Sequence, residues 1–161
     1  MNISEKENLD TALKYHSAGE LEKAESIYLE ILKSSPNNYN VLNLLGLVML
    51  AKSELSKAEK YIKEALLQRE DCYFYENLAR VYMKKNDYQS AINTLEKAVN
   101  KGFTSFEIYF ILALAYKNNI EYQKAEGMYL QAIEINPKSE KALFNLASLV
   151  REIAEKFGME E

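Results

Sequence analysis

Residues 121–137 read EYQKAEGMYLQAIEINP. Tyr122, Ala125, Tyr129 and Ala132 fall on one face of a helix, and Pro137 follows where proline no longer interrupts an intrahelical hydrogen bond. The same frame recurs upstream as Ala24 with Tyr28, Ala58 with Ile62, and Ala91 with Leu95. Up to Ala125 the alanines are spaced 34, 33 and 34 residues apart. So constant a period marks a repeat architecture rather than a single irregular core.

Each period predicts helix, short turn, helix. Apolar stripes at helical spacing precede each alanine, as in Leu42, Leu45, Gly46 and Met49, or Tyr75, Leu78, Ala79 and Tyr82. Breakers separate the two helices: Gly19-Glu20, Ser53-Glu54, Asn86-Asp87 and Asn118-Asn119. Pro36 follows another second helix, Gly102 is expected to end a third, and Ser4 with Glu7 predicts a capping box opening the first helix. The small alanines belong where two helices approach closely, and contacts run between neighbouring units.

Composition agrees. The 161 residues are 48% apolar and 27% charged, with 5 Gly, 2 Pro and no Trp, which favours helices over a turn-rich β fold and excludes disorder. The single Cys excludes an internal disulfide, and one His with one Cys cannot build the usual zinc sites. A net charge of −4 argues against nucleic-acid binding. Acidic residues crowd Met1–Asp10, no apolar leader is visible, and the longest apolar runs are half a membrane span, so a soluble cytoplasmic protein is expected.

On these residues the chain resembles the tetratricopeptide repeat (TPR) family. Its 34-residue signature is matched by Leu42, Leu45-Gly46 and Met49 in a first helix, and by Ala125, Tyr129, Ala132 and Pro137 in a second. The resemblance implies an all-α fold, a right-handed α-α superhelix of four helix-turn-helix units at 5–38, 39–71, 72–105 and 106–139. A capping helix over 140–157 completes it, with short termini at 1–4 and 158–161. Departures are local: no Trp stands at the large first position, the first copy has Thr11-Ala12 for Leu-Gly, and Ile120 occupies a turn position better suited to Gly. Leu143, Leu146, Val150, Ile153 and Phe157 are expected to pack the capping helix on the fourth unit, with their heptad-like spacing as the alternative.

Family resemblance places ligands in a concave groove lined by the first helices. It nominates Leu9, Leu13, Asn43, Leu47, Leu50, Tyr73, Glu76, Asn77, Arg80, Lys84, Phe110, Leu114, Lys117 and Asn145 as partner-binding residues. The family's carboxylate clamp for chaperone tails is absent, because Leu9, Leu13, Leu44 and Tyr73 stand where its Lys and Asn residues belong. Lys141, Phe144 and Ile111 also fall on groove positions.

No catalytic constellation emerges. His16 lacks a second His and reads as a partly exposed surface residue, and Cys72 lacks a base and reads as a structural thiol. The glycines are too scattered to cradle a phosphate, and most tyrosines sit at repeat-core offsets. The expectation is a non-catalytic adaptor without cofactor or metal. It takes a protein or peptide segment with apolar anchors and some acidic residues, and binds neither nucleic acid nor membrane. The alternatives are a recruiting arm of a larger glycosyltransferase-type enzyme and a structural homo-oligomer. A monomer is preferred to a homodimer.

Overall fold

A computed structural model of the chain describes residues 3–158. Among the described residues there are nine α-helices and no strand: α1 (Ile3–Ser17), α2 (Leu21–Ser34), α3 (Tyr39–Ala51), α4 (Leu55–Gln68), α5 (Cys72–Lys84), α6 (Tyr88–Asn100), α7 (Phe106–Asn118), α8 (Tyr122–Ile135) and α9 (Glu140–Phe157). Of the expected termini, residues 3 and 4 belong to α1 and Gly158 caps α9; residues 1–2 and 159–161 lie outside the described residues.

Four three-residue turns, 18–20, 52–54, 85–87 and 119–121, repeat one geometry. Their central residues, Gly19, Ser53, Asn86 and Ile120, all take positive φ, at 76°, 61°, 57° and 64°. The following amide then donates back to the carbonyl five residues earlier, Glu20 to Tyr15 at 2.9 Å and Glu121 to Tyr116 at 2.9 Å, which closes the orphan carbonyls of the first helix. Ile120 is the costly member, since a β-branched residue resists the left-handed region.

Side-chain caps start α3, α6, α7 and α9. Asn38, Asp87, Ser105 and Ser139 each accept the amide three residues on, at 3.3, 3.1, 3.0 and 3.4 Å. The capping box expected at Ser4 is corrected: α1 already includes Ile3, so Ser4 lies within its first turn. Pro36 and Pro137 follow the ends of α2 and α8 by two residues, and Gly102, at φ 85°, lies just past α6.

The chain forms two compact units, Met1–Val81 and Tyr82–Glu161. In the first, α1 packs on α2, α2 on α3, and α3 on α4. Ala24 and Ala58 are fully buried beside Tyr28, Leu45 and Ile62. Lys52, at the end of α3, reaches back to Glu25 of α2 at 2.6 Å, and Arg69 donates to the Tyr39 hydroxyl at 2.9 Å while lying over its ring. In the second unit α6 packs on α7, α7 on α8, and α8 on α9. Ala91, Ala125 and Tyr129 are fully buried there, and the Tyr116 hydroxyl donates to Glu96.

One packing expectation needs correction. The buried face of α9 is built on Ala142 and Leu149, flanked by the half-buried Leu146 and Ile153. Leu143, Val150 and Phe157 are 45%, 49% and 66% exposed. At 100° per residue, Leu143 lies about 100° round the helix from Ala142, so the apolar arc is wider than α8 covers.

Candidate functional site

First-helix faces are built differently in the two units. In the first unit α3 carries an almost wholly apolar sequence, YNVLNLLGLVMLA. Val41, Leu42, Leu45, Val48 and Met49 take the core positions, which leaves Leu44, Leu47 and Leu50 half-buried on the remaining face. Asn43 is buried and accepts a hydrogen bond at 3.0 Å from the amide of Asn77, one repeat further on, which ties α3 to α5. Leu9 is half-buried and Leu13 exposed on α1, while Tyr73, 70% exposed, and Arg80 stand on the surface of α5. Glu76, nominated for the groove, is only 6% exposed, and the Cys72 thiol lies 3.5 Å from its Oε1, so it serves the interior rather than the surface.

His16, near the end of α1, sets its Nδ1 3.3 Å from the hydroxyl of buried Tyr28, with the rings edge-on. Burial holds its pKa below the ordinary 6.5. The Tyr28 hydroxyl is itself pushed up to about 12 by burial. This pair fills the contact between α1 and α2.

In the second unit the centre is aromatic. Phe106 and Phe110, one turn apart on α7, stack with centroids 5.6 Å apart and planes 13° apart. Phe110 also meets the edge of Tyr129 at 6.0 Å. From α9, Lys141 places its ammonium 4.8 and 4.6 Å from the two phenyl centroids, and Glu107 holds it there at 2.7 Å. Asn145 donates to the Lys141 carbonyl at 2.7 Å, and Lys117 pairs with Glu152 at 3.3 Å. Leu114 is half-buried beside them in sequence, Lys84 is exposed, and Ile111 belongs to the core. The sequence reading missed Phe106, although its spacing of four from Phe110 was visible.

A second apolar surface of this unit was not anticipated. Ile120, Tyr122, Ile153 and Phe157 line a cleft of about 620 Å³ between the α7–α8 turn and the end of α9. Its rim is charged but balanced: Glu152 accepts from the Tyr122 hydroxyl at 3.0 Å and from Lys156 at 3.1 Å, and Lys124 pairs with Glu121 at 2.6 Å. Lys156, Tyr122 and Lys117 hold the Glu152 carboxyl below the usual carboxylate range.

Among the described residues no group of three His, Cys, Asp or Glu side chains is gathered as metal ligands. No helix there is long and apolar enough to cross a membrane. What the two faces offer chemically is half-buried leucine and phenylalanine bordered by amides and paired charges.

The chain is similar in sequence to curated proteins and in fold to solved structures. The yeast Saccharomyces cerevisiae anaphase-promoting complex subunit CDC16 is 27% identical over 138 residues, 81% of this chain but 16% of that protein. The chain thus spans a small part of the curated relative's length. A solved structure of MamA 41-end from Desulfovibrio magneticus RS-1 superposes with a TM-score of 0.85 at 20% identity, covering 98% of this chain and 90% of that one. YrrB, described as a TPR protein with an unusual peptide-binding site, superposes with a TM-score of 0.74 at 20% identity, covering 90% and 75%. Tetratricopeptide-repeat profiles match residues 9–71, and again 73–100 and 106–139. The chain therefore belongs to the tetratricopeptide repeat family.

Proposed function

We propose that this chain is a cytoplasmic, non-catalytic adaptor whose four units, 5–38, 39–71, 72–105 and 106–139, hold a partner peptide segment on their first-helix faces. The observation that carries the reading is the Phe106–Phe110 stack under Lys141, joined to Glu107. It is an apolar shelf with an oriented cation at its rim, built by α7, a first helix, and by the capping helix α9. Leu44, Leu47 and Leu50 of α3 supply half-buried anchors of the same kind in the first unit. Apolar anchors supply most of the affinity in such interfaces, whereas rim charges steer and set register. Two of the nominated lysines, Lys117 and Lys141, are already paired within the chain, so a partner's acidic residues add less than its apolar ones.

Membership of a repeat family used in protein complexes supports a protein partner, CDC16 being named as a complex subunit and YrrB as a peptide binder. The small share of CDC16 that the chain spans favours one further reading, in which the array recruits for a larger protein. Both readings need the same faces.

The test is selection of binders from a displayed random-peptide library, followed by calorimetric titration. Peptides rich in Leu, Phe or Tyr that lose about tenfold or more in affinity (about 1.4 kcal/mol) against folded Leu47→Asp support the reading. Peptides indifferent to Leu47→Asp and to Lys141→Ala contradict it.

A further inference from the structure

We infer that the uncovered face of α9 is a pairing surface for α9 of a second copy of this chain, in an antiparallel arrangement. Leu143, Ala147, Val150, Ala154 and Phe157 follow one another at steps of four, three, four and three residues, the spacing of a coiled-coil seam. α8 does not cover this seam: Leu143, Ala147, Val150 and Phe157 are exposed and Ala154 is half-exposed, while the core face lies at Ala142 and Leu149. A seam of this period fits another helix better than an extended segment.

The seam is complementary to itself in one direction. With a two-fold axis passing between Ser148 and Leu149, Leu143 meets Ala154 of the second copy and Val150 meets its Ala147, so these two large side chains face small ones, and Phe157 at the end of the seam lies level with the second copy's Glu140. Phe144, Ala147, Ser148 and Arg151 line a shallow groove of about 300 Å³ along the seam's open edge. In this register Val150 of the second copy enters beside Ala147, and its Arg151 comes within reach of the Phe144 ring, 72% exposed, as a cation–π partner. A parallel pair would instead set Phe157 against Phe157 and Ala147 against Ala147, with overcrowding at one level and a void at the next. Glu140 and Glu155 also border the open edge, so salt that screens them favours pairing.

An 18-residue helix is about 27 Å long. A single pair of that length buries less than the roughly 1,200–2,000 Å² of a tight complex, so the dimer is weak and concentration-dependent. This inference does not rest on the peptide-binding reading, which uses α3, α7 and the opposite edge of α9.

The experiment is sedimentation equilibrium of the 161-residue chain from about 1 μM to about 1 mM, the range in which a weak dimer dissociates. The mass should climb from 18.6 kDa toward twice that value, and Val150→Glu, at an exposed position, should hold it at the monomer with an unchanged helical circular-dichroism spectrum. Register is read in a Cys72→Ser background by mild oxidation. A mixture of Leu143→Cys and Ala154→Cys chains should cross-link faster than either chain alone. A chain that stays monomeric throughout overturns the inference and leaves the face to a different protein. A dimer indifferent to Val150→Glu, or one that cross-links Leu143→Cys to itself fastest, overturns it as well.

Discussion

Gly46 of α3 lies against Ile62 of α4 so closely that a Cβ on Gly46 would stand 2.5 Å from Ile62 Cγ1 and 3.3 Å from the Ala58 carbonyl oxygen. This contact explains the small residues of the repeat. Gly46 and Ala58 set the distance between the paired helices, and Ile62 fills the space that the missing side chain leaves. Gly46→Ala is expected to destabilise the chain by about 1–3 kcal/mol through overpacking. Gly127, in α8, meets nothing within 4 Å, so Gly127→Ala should instead stabilise by up to about 1 kcal/mol through helix propensity. Urea unfolding of the two variants measures both, and opposite signs are the expected result.

Ile120 carries strain at φ 64° with 71% of its surface exposed. Ile120→Gly relieves a left-handed β-branched residue and gives up little burial, so stability should rise by about 1 kcal/mol. For a domain of this size that corresponds to about 2–4 °C in Tm. Gly19→Ile, at the equivalent turn of the first unit, should lower Tm by a similar amount.

On α9 the two halves of the apolar arc should respond differently. Leu149→Ala removes a fully buried side chain that packs the helix onto its unit and should cost about 2–5 kcal/mol. Leu143→Ala, nearly half exposed, should cost less than 1 kcal/mol in the dilute monomer. Thermal melts at low concentration separate the two.

The fold was legible because the repeat gives the same information four times. The alanines at 24, 58, 91 and 125, the turn residues and the prolines each fixed an element, and the period fixed how the elements follow one another. The side of a helix that meets its neighbour was less legible. On α9 every third or fourth residue is apolar round nearly half the circumference, so Leu143 and Leu149 are equivalent by pattern, and only the position of α8 distinguishes them. Glu76 shows the same limit. Its type predicts exposure, but its position on α5 turns it inward. The Phe106–Phe110–Lys141 cluster escaped because it joins α7 to a helix one repeat away, and a lysine's reach over two rings is not a sequence pattern.

His16 makes stability depend on pH in a defined direction. Burial lowers its folded pKa below 6.5, so the unfolded chain takes up the proton first as pH falls. The stabilisation of the neutral ring against Tyr28 is complete above about pH 6.5 and is lost as pH falls through the folded value. His16→Gln should flatten Tm between pH 7.5 and pH 5 relative to wild type, by removing the proton linkage of this ring.

The central claim is that first-helix faces hold the partner. Its most direct measurement is backbone amide chemical-shift mapping of the chain titrated with a library-selected peptide. The largest changes should fall on residues 9–17 of α1, 43–51 of α3, 73–81 of α5 and 106–117 of α7, while α2, α4, α6 and α8 change little. Changes concentrated on those second helices would contradict it.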